Sequence, residues 1–164
     1  AFKQDGGSVT AGNSSGLNDG AAATLIASED AVKKYNLKPM ARIVSSAVVG
    51  VEPKIMGIGP VKASNKALEK AGLSMKDMDV IELNEAFASQ ALACIRAWGF
   101  QDDDPRINPN GGAIAIGHPL GVTGARIAYS AALELQQTKQ KYARITMCIG
   151  VGQGYAAIIE NVNV

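Results

Sequence analysis

From residue 40 onward the apolar positions switch between two periods, two residues and three to four, and the switches divide the chain into elements. Residues 41–51 (Ala-Arg-Ile-Val-Ser-Ser-Ala-Val-Val-Gly-Val) are β-branched and long enough for a central strand. A turn-rich connector with Pro53, Gly57 and Gly59 follows. Pro60 then suits a helix start, Ala63, Ala67 and Leu68 fall on one helical face over 61–71, and Gly72 is a stop. Residues 80–83 read as a strand and 86–98 as a helix closed by Gly99. Residues 121–137 form a second long helix with apolar positions at Ile127, Ala131 and Leu135. The apolar runs 142–148 and 155–160, separated by a glycine-rich five-residue link, read as a hairpin.

The beginning is less regular. Residues 1–20 are rich in Gly, Ser, Asn and Asp and read as loop. The small-apolar run 20–27 fits either a buried strand or a helical turn. A strand is favoured because Ser28 looks like the N-cap of a short helix carrying Ala31, Val32 and Tyr35, which Asn36 and Pro39 end. From residue 40 the order is β, α, β, α, short β, α, β, β. That alternation predicts a layered α/β domain: a mixed, mostly parallel sheet with helices on both faces and a C-terminal antiparallel hairpin.

Composition narrows the function classes. A chain of 164 residues, 47% hydrophobic, has material for one compact core, with room for an appended segment. Sixteen basic against fifteen acidic residues, with no basic block, argue against nucleic acid as a partner. No run reaches membrane-spanning length and no signal peptide precedes the first residues, which points away from a membrane. Two cysteines are too few for a zinc cluster or a disulfide scaffold, so a reducing, cytoplasmic compartment is expected. The Asp102-Asp103-Asp104 run reads as a solvated surface turn. The opening residues, without an initiating Met, resemble the middle of a loop, and a piece of a longer protein is expected.

Candidate chemistry gathers in three places. His118 is the sole histidine, set between Gly117 and Pro119 before the 121–137 helix, where a turn can aim its imidazole into a pocket. Asn84 and Glu85 sit where a strand hands over to a helix, at the carboxyl edge that faces the ligand crevice of open α/β sheets. Asn84 can position a water or a carbonyl oxygen. Glu85 is an acid/base candidate or, on the plainer reading, a first-turn carboxylate. Cys148 ends a strand just before glycine amides, and the Gly150 N–H can donate to a developing oxyanion. Cys94, inside the 86–98 helix, reads as a small core residue. The glycines at 150, 152 and 154 lack the spacing, lysine and following helix of a phosphate loop. An amide, an imidazole and a thiol after the ends of three strands are equipment for bond formation or cleavage beside a carbonyl.

The segments Asn84-Glu-Ala-Phe-Ala88, Gly111-Gly-Ala-Ile-Ala-Ile-Gly-His-Pro-Leu-Gly121 with Gly124-Ala-Arg126, and Cys148-Ile-Gly-Val-Gly152 resemble the three C-terminal active-site motifs of the thiolases, the acyl-CoA C-acyltransferases. Gly7-Ser-Val-Thr-Ala-Gly-Asn-Ser-Ser-Gly-Leu-Asn-Asp-Gly20 is similar to the end of that family's CoA-binding loop domain. The Asp102-Asp-Asp-Pro-Arg106 run and the stretch 148–154 look closest to bacterial acetyl-CoA and β-ketoadipyl-CoA thiolases.

The resemblance implies acyl transfer between CoA thioesters, by 3-ketoacyl-CoA thiolysis or acetyl-CoA condensation, with no cofactor beyond the CoA substrate. It implies an acid/base role for Cys148, activation of a nucleophilic cysteine by His118, a water held by Asn84, and an oxyanion donor at Gly150. Ser15 would contact the pantetheine, and Met56 and Phe87 would line the acyl pocket. Residues 1–18 would be a loop-domain tail, 19–39 the last strand and helix of the N-terminal domain, and 40–164 the C-terminal domain. The family's nucleophilic cysteine has no counterpart in these residues, so the N-terminal half of the same enzyme is an implied partner, in a homo-oligomer (dimer or tetramer). Two alternatives stand beside this: a fatty-acid or polyketide condensing enzyme, which lacks these Asn and Cys motifs, and a non-catalytic CoA-ester-binding or assembly subunit derived from a thiolase.

Overall fold

A computed structural model describes residues 5–164; residues 1–4 of the expected opening loop lie outside the described residues. Strands β1 (Arg42–Gly50), β2 (Val80–Leu83), β3 (Tyr142–Ile149) and β4 (Gln153–Glu160) form one sheet in the order β1-β4-β3-β2. Helices α1 (Glu29–Lys34), α2 (Gly59–Ala71), α3 (Ala88–Ala97), α4 (Ala113–Ile116) and α5 (Thr123–Thr138) complete the fold.

Period-two side chains sort the core onto two faces. Val80, Ala143, Ile145, Ala157 and Ile159 meet Ile127, Ala131 and Leu135 of α5. Ala47, Ile81, Ala156 and Ile158 point the other way, onto Ala63, Ala67 and Leu68 of α2. Helix α3 packs Ala91, Cys94 and Ile95 on Leu83, with Val61 of α2 partly buried against them. The layered α/β class with helices on both faces and a terminal hairpin is therefore as expected.

One close approach anchors α2. A Cβ on Gly59 would lie 2.7 Å from the Gln153 carbonyl oxygen, and one on Gly154 would land on the Gly59 backbone. Both sites need glycine, because helix backbone rests directly on strand backbone.

Four expectations change. The sheet is mixed, but only β2–β3 pairs in parallel, while β1–β4 and β3–β4 are antiparallel, so it is not mostly parallel. The hairpin fills the middle of the sheet and leaves β1 at an edge rather than at the centre. The run 20–27 is not a strand: no described residue pairs with it, and Leu25 and Ile26 are 80% and 71% exposed. The short strand expected after α3 is a single parallel bridge between Ile107 and Ile81, followed by α4. Asn108 extends it with a side chain that mimics backbone: its Oδ1 accepts from the Leu83 N–H at 2.8 Å, and its Nδ2 donates to the Leu83 carbonyl at 2.9 Å. Helix α1 does form, with Ser28 capping the Ala31 N–H at 3.2 Å.

Candidate active site

At the carboxyl end of β3, the crevice of about 590 Å³ collects most of the residues singled out in the sequence. Ser15, Met56, Phe87, His118, Cys148 and Gly150 all line it. Asn84 is buried behind them and donates from Nδ2 toward His118 Nε2 at 3.4 Å. All seven candidates thus converge, although His118 follows α4 and not a strand end.

One tautomer fits the contacts of both ring nitrogens. Thr123 Oγ1 lies 2.7 Å from His118 Nδ1, and its own proton goes to the Pro119 carbonyl at 3.0 Å. The hydroxyl therefore accepts from Nδ1–H, leaving the Nε2 lone pair toward Asn84. Burial, with the Arg126 charge adding to it, holds the imidazole pKa below its ordinary value, which favours the neutral base. Asn84 Oδ1 is buried with no partner among the described residues, so its amide retains a free acceptor beside the base.

The thiols separate by environment. Burial raises Cys148, with a backbone hydrogen bond opposing, so it rests as a protonated thiol able to donate. Cys94 is buried in α3, its thiol donating to the Gly57 carbonyl at 3.4 Å. Burial pushes it up to about 11, against the hydrogen bond from Gln90. Cys94 is a core residue.

Glu85 is a brace. Its Oε1 accepts from Asn108 Nδ2 at 3.1 Å and its Oε2 from the Ile114 N–H at 3.2 Å, holding the glycine-rich loop against the end of β2. The acidic run is an exposed surface turn, as expected, and two of its carboxylates are also paired: Asp102 binds Arg96 at 2.6 Å and Asp104 binds Arg106 at 2.7 Å. Among the described residues no group of three or more His, Cys, Asp or Glu side chains could hold a metal ion. No described helix is long and apolar enough to cross a membrane.

Sequence reasoning passed over four further groups. Thr123 sets the tautomer, Arg126 donates from Nη1 to the Gly117 carbonyl at 2.7 Å, and the Asn18 Oδ1 accepts from the His118 N–H at 3.0 Å. Each joins positions that no local period links. The fourth is Glu82, whose place in β2 reads only as strand. It is 4% exposed, and its carboxyl pKa is raised to about 7 by burial, with Arg126 opposing and Glu134 and Glu85 adding. A folded value above the ordinary 4.5 means that Glu82 favours the fold at low pH and that this is lost as pH rises through 7. Glu82→Gln is expected to match the wild type near pH 4 and to exceed it at pH 8 by about 3 kcal/mol. Urea unfolding at both pH values checks this; parallel pH dependences would refute it.

The family description "Thiolase, C-terminal domain" matches residues 37–161, and "Thiolase, N-terminal domain" matches residues 1–30. The chain is 62% identical to a β-ketoadipyl-CoA thiolase of Acinetobacter baylyi over 156 residues, 95% of this chain and 39% of that protein. It is 53% identical to an acetyl-CoA acetyltransferase of Syntrophomonas wolfei, over 98% of this chain and 40% of that protein. The crystal structure of human mitochondrial 3-ketoacyl-CoA thiolase superposes with a TM-score of 0.94 at 56% identity, covering 99% of this chain and 40% of the human one. The chain spans about two fifths of the length of these relatives. With one family description covering three quarters of its residues, the chain belongs to the thiolase family.

Proposed function

We propose that this chain is the C-terminal part of a thiolase that transfers an acyl group between CoA thioesters, by 3-ketoacyl-CoA thiolysis or acetyl-CoA condensation. The observation that carries the reading is the convergence of a neutral imidazole whose Nε2 lone pair faces Asn84, a protonated thiol and a glycine turn on one crevice. A solved human relative is described as a complex with CoA, which supports CoA thioesters as the substrate class.

In the proposed mechanism, His118 Nε2 takes the proton of a nucleophilic cysteine thiol supplied by the N-terminal half of the enzyme. The resulting thiolate attacks the thioester carbonyl, and the acyl group moves to it as CoA leaves. The Nε2–H, together with a water on Asn84, then holds the oxygen that gains charge. In condensation, the leaving CoA thiolate takes the Cys148 proton. The resulting Cys148 thiolate removes an α-proton from the second acyl-CoA, whose carbon then attacks the acyl-enzyme and releases the nucleophilic cysteine. In thiolysis, the Cys148 thiol returns a proton to the departing carbon. Gly150 N–H serves as an oxyanion donor, Ser15 meets the pantetheine arm, and Met56 and Phe87 face the acyl chain. The proposed organisation assigns 1–18 to the loop domain, 19–39 to the N-terminal domain and 40–164 to the C-terminal domain. The intact enzyme is proposed to be a homo-oligomer in a reducing, cytoplasmic compartment, where its thiols stay free.

The test follows from the thiols. Among the described residues only Cys148 reaches the crevice, and two cysteine roles are required. The 164-residue chain by itself is expected to release no CoA from acetyl-CoA and to form no acyl-enzyme. Supplied with a thiolase N-terminal half, it should turn over. Robust turnover by the chain alone would overturn the reading, and CoA binding without turnover in the reconstituted enzyme would favour a non-catalytic subunit.

A further inference from the structure

The Gly117–His118 peptide is held at both ends by side chains far apart in sequence. Its carbonyl, on Gly117, accepts from Arg126 Nη1 at 2.7 Å, and its N–H, on His118, donates to Asn18 Oδ1 at 3.0 Å. Gly117 sits at φ +92°, where L side chains are strained, and a Cβ there would lie 2.6 Å from Asn18 Oδ1. The glycine that lets the chain turn also makes this peptide plane easy to rotate. Without these two bonds the peptide is free to rotate and the turn that carries His118 is free to shift.

Each clamp is itself anchored. Asn18 ends a strap that bridges Ser14 to Phe87, donates from the Ser15 N–H to the Ala86 carbonyl at 3.0 Å, and bridges Leu17 to His118. The strap therefore ties the loop after Asn84 to the loop of His118. Arg126 lies on α5 one turn beyond Thr123, so the helix that fixes the imidazole tautomer also holds the preceding carbonyl. Glu82 of β2 faces Arg126 electrostatically from the sheet side.

We infer that Asn18 and Arg126 are positioning residues that fix the Gly117–His118 peptide, and with it the turn that aims the imidazole at Asn84. Its catalytic meaning rests on the role proposed above for His118, but its geometry can be tested without turnover. Because His118 is the sole histidine, ¹⁵N-histidine labelling of the 164-residue chain gives one backbone amide and one imidazole. In the wild-type chain the His118 amide should exchange with solvent at least about tenfold more slowly than a free amide, the scale of one hydrogen bond, and the imidazole should be in the Nδ1–H form. Asn18→Leu should remove that protection and let both tautomers populate. Arg126→Met should do the same although Asn18 is intact, because both act on one peptide. Asn18→Asp keeps an acceptor oxygen and should retain the wild-type pattern. An unprotected amide in the wild type, or unchanged exchange and tautomer in folded Asn18→Leu and Arg126→Met chains, would overturn the inference. If the Leu variant fails to fold, the wild-type rate and the Arg126→Met and Asn18→Asp chains still decide it. Absence of turnover in the enzyme reconstituted with a thiolase N-terminal half, with these spectra as expected, would count against the functional reading alone.

Discussion

Replacing Cys148 by Ala in the intact enzyme is expected to lower acetyl-CoA condensation by about 10²-fold or more, the scale of a lost general acid–base group. Cys94→Ala is expected to leave turnover near the wild-type rate. Position makes the contrast. Cys148 lines the crevice near the end of β3, whereas Cys94 lies wholly buried in α3 with its thiol committed to the Gly57 carbonyl. The Cys94→Ala chain loses only a small buried group, a cost in stability of about 1 kcal/mol. Exchange of acetyl-CoA α-protons with solvent isolates the step. It should vanish in Cys148→Ala and persist in Cys94→Ala, and the opposite pattern would reverse the assignment of the two thiols.

His118→Ala should cost at least as much, about 10²- to 10³-fold in turnover, because in the proposed mechanism one imidazole both activates the nucleophile and holds the oxyanion. Thr123→Val should fall between this variant and the wild type. It keeps the ring but frees Nδ1 from its acceptor, so the lone pair is no longer confined to Nε2. Burial and the Arg126 charge hold the neutral form to lower pH, so the acid limb of kcat/KM should lie below the ordinary histidine value of 6.5. Rates of Thr123→Val equal to the wild type, or an acid limb above that value, would contradict the assigned tautomer and its cause.

What could be read from sequence was what depends on neighbours along the chain. Pro60 and Gly72 bracket α2, the four residues of β2 fall where their apolar run does, and the glycine link makes β3 and β4 a hairpin. Position within the sheet was not legible. Residues 42–50 carry a β-branched pattern that suits a centre or an edge, and pairing with β4 alone decides for the edge. The run 20–27 has strand-like composition, yet composition cannot supply a partner. In the site, the residues with distinctive chemistry stood out in the sequence, while those that hydrogen-bond around them did not. Asn18 lies 100 residues from the peptide it holds. Arg144 is harder still: it is fully buried in a strand, stacked 3.7 Å from the Trp98 ring, with burial drawing its pKa down to about 9. Nothing local marks that arginine as internal.

The edge place of β1 also sets an order of assembly. Its sheet partner is β4, and the Arg42–Glu160 pair at one end of that ladder spans 118 residues. During synthesis β1 leaves the ribosome long before β4, so this ladder cannot form until the whole intervening stretch has emerged. Until then α2, whose apolar face rests on both strands, has only part of its seat. The closing of so long a loop makes the β1–β4 ladder a slow, late event, and the interval before it is when the nascent chain most needs a chaperone.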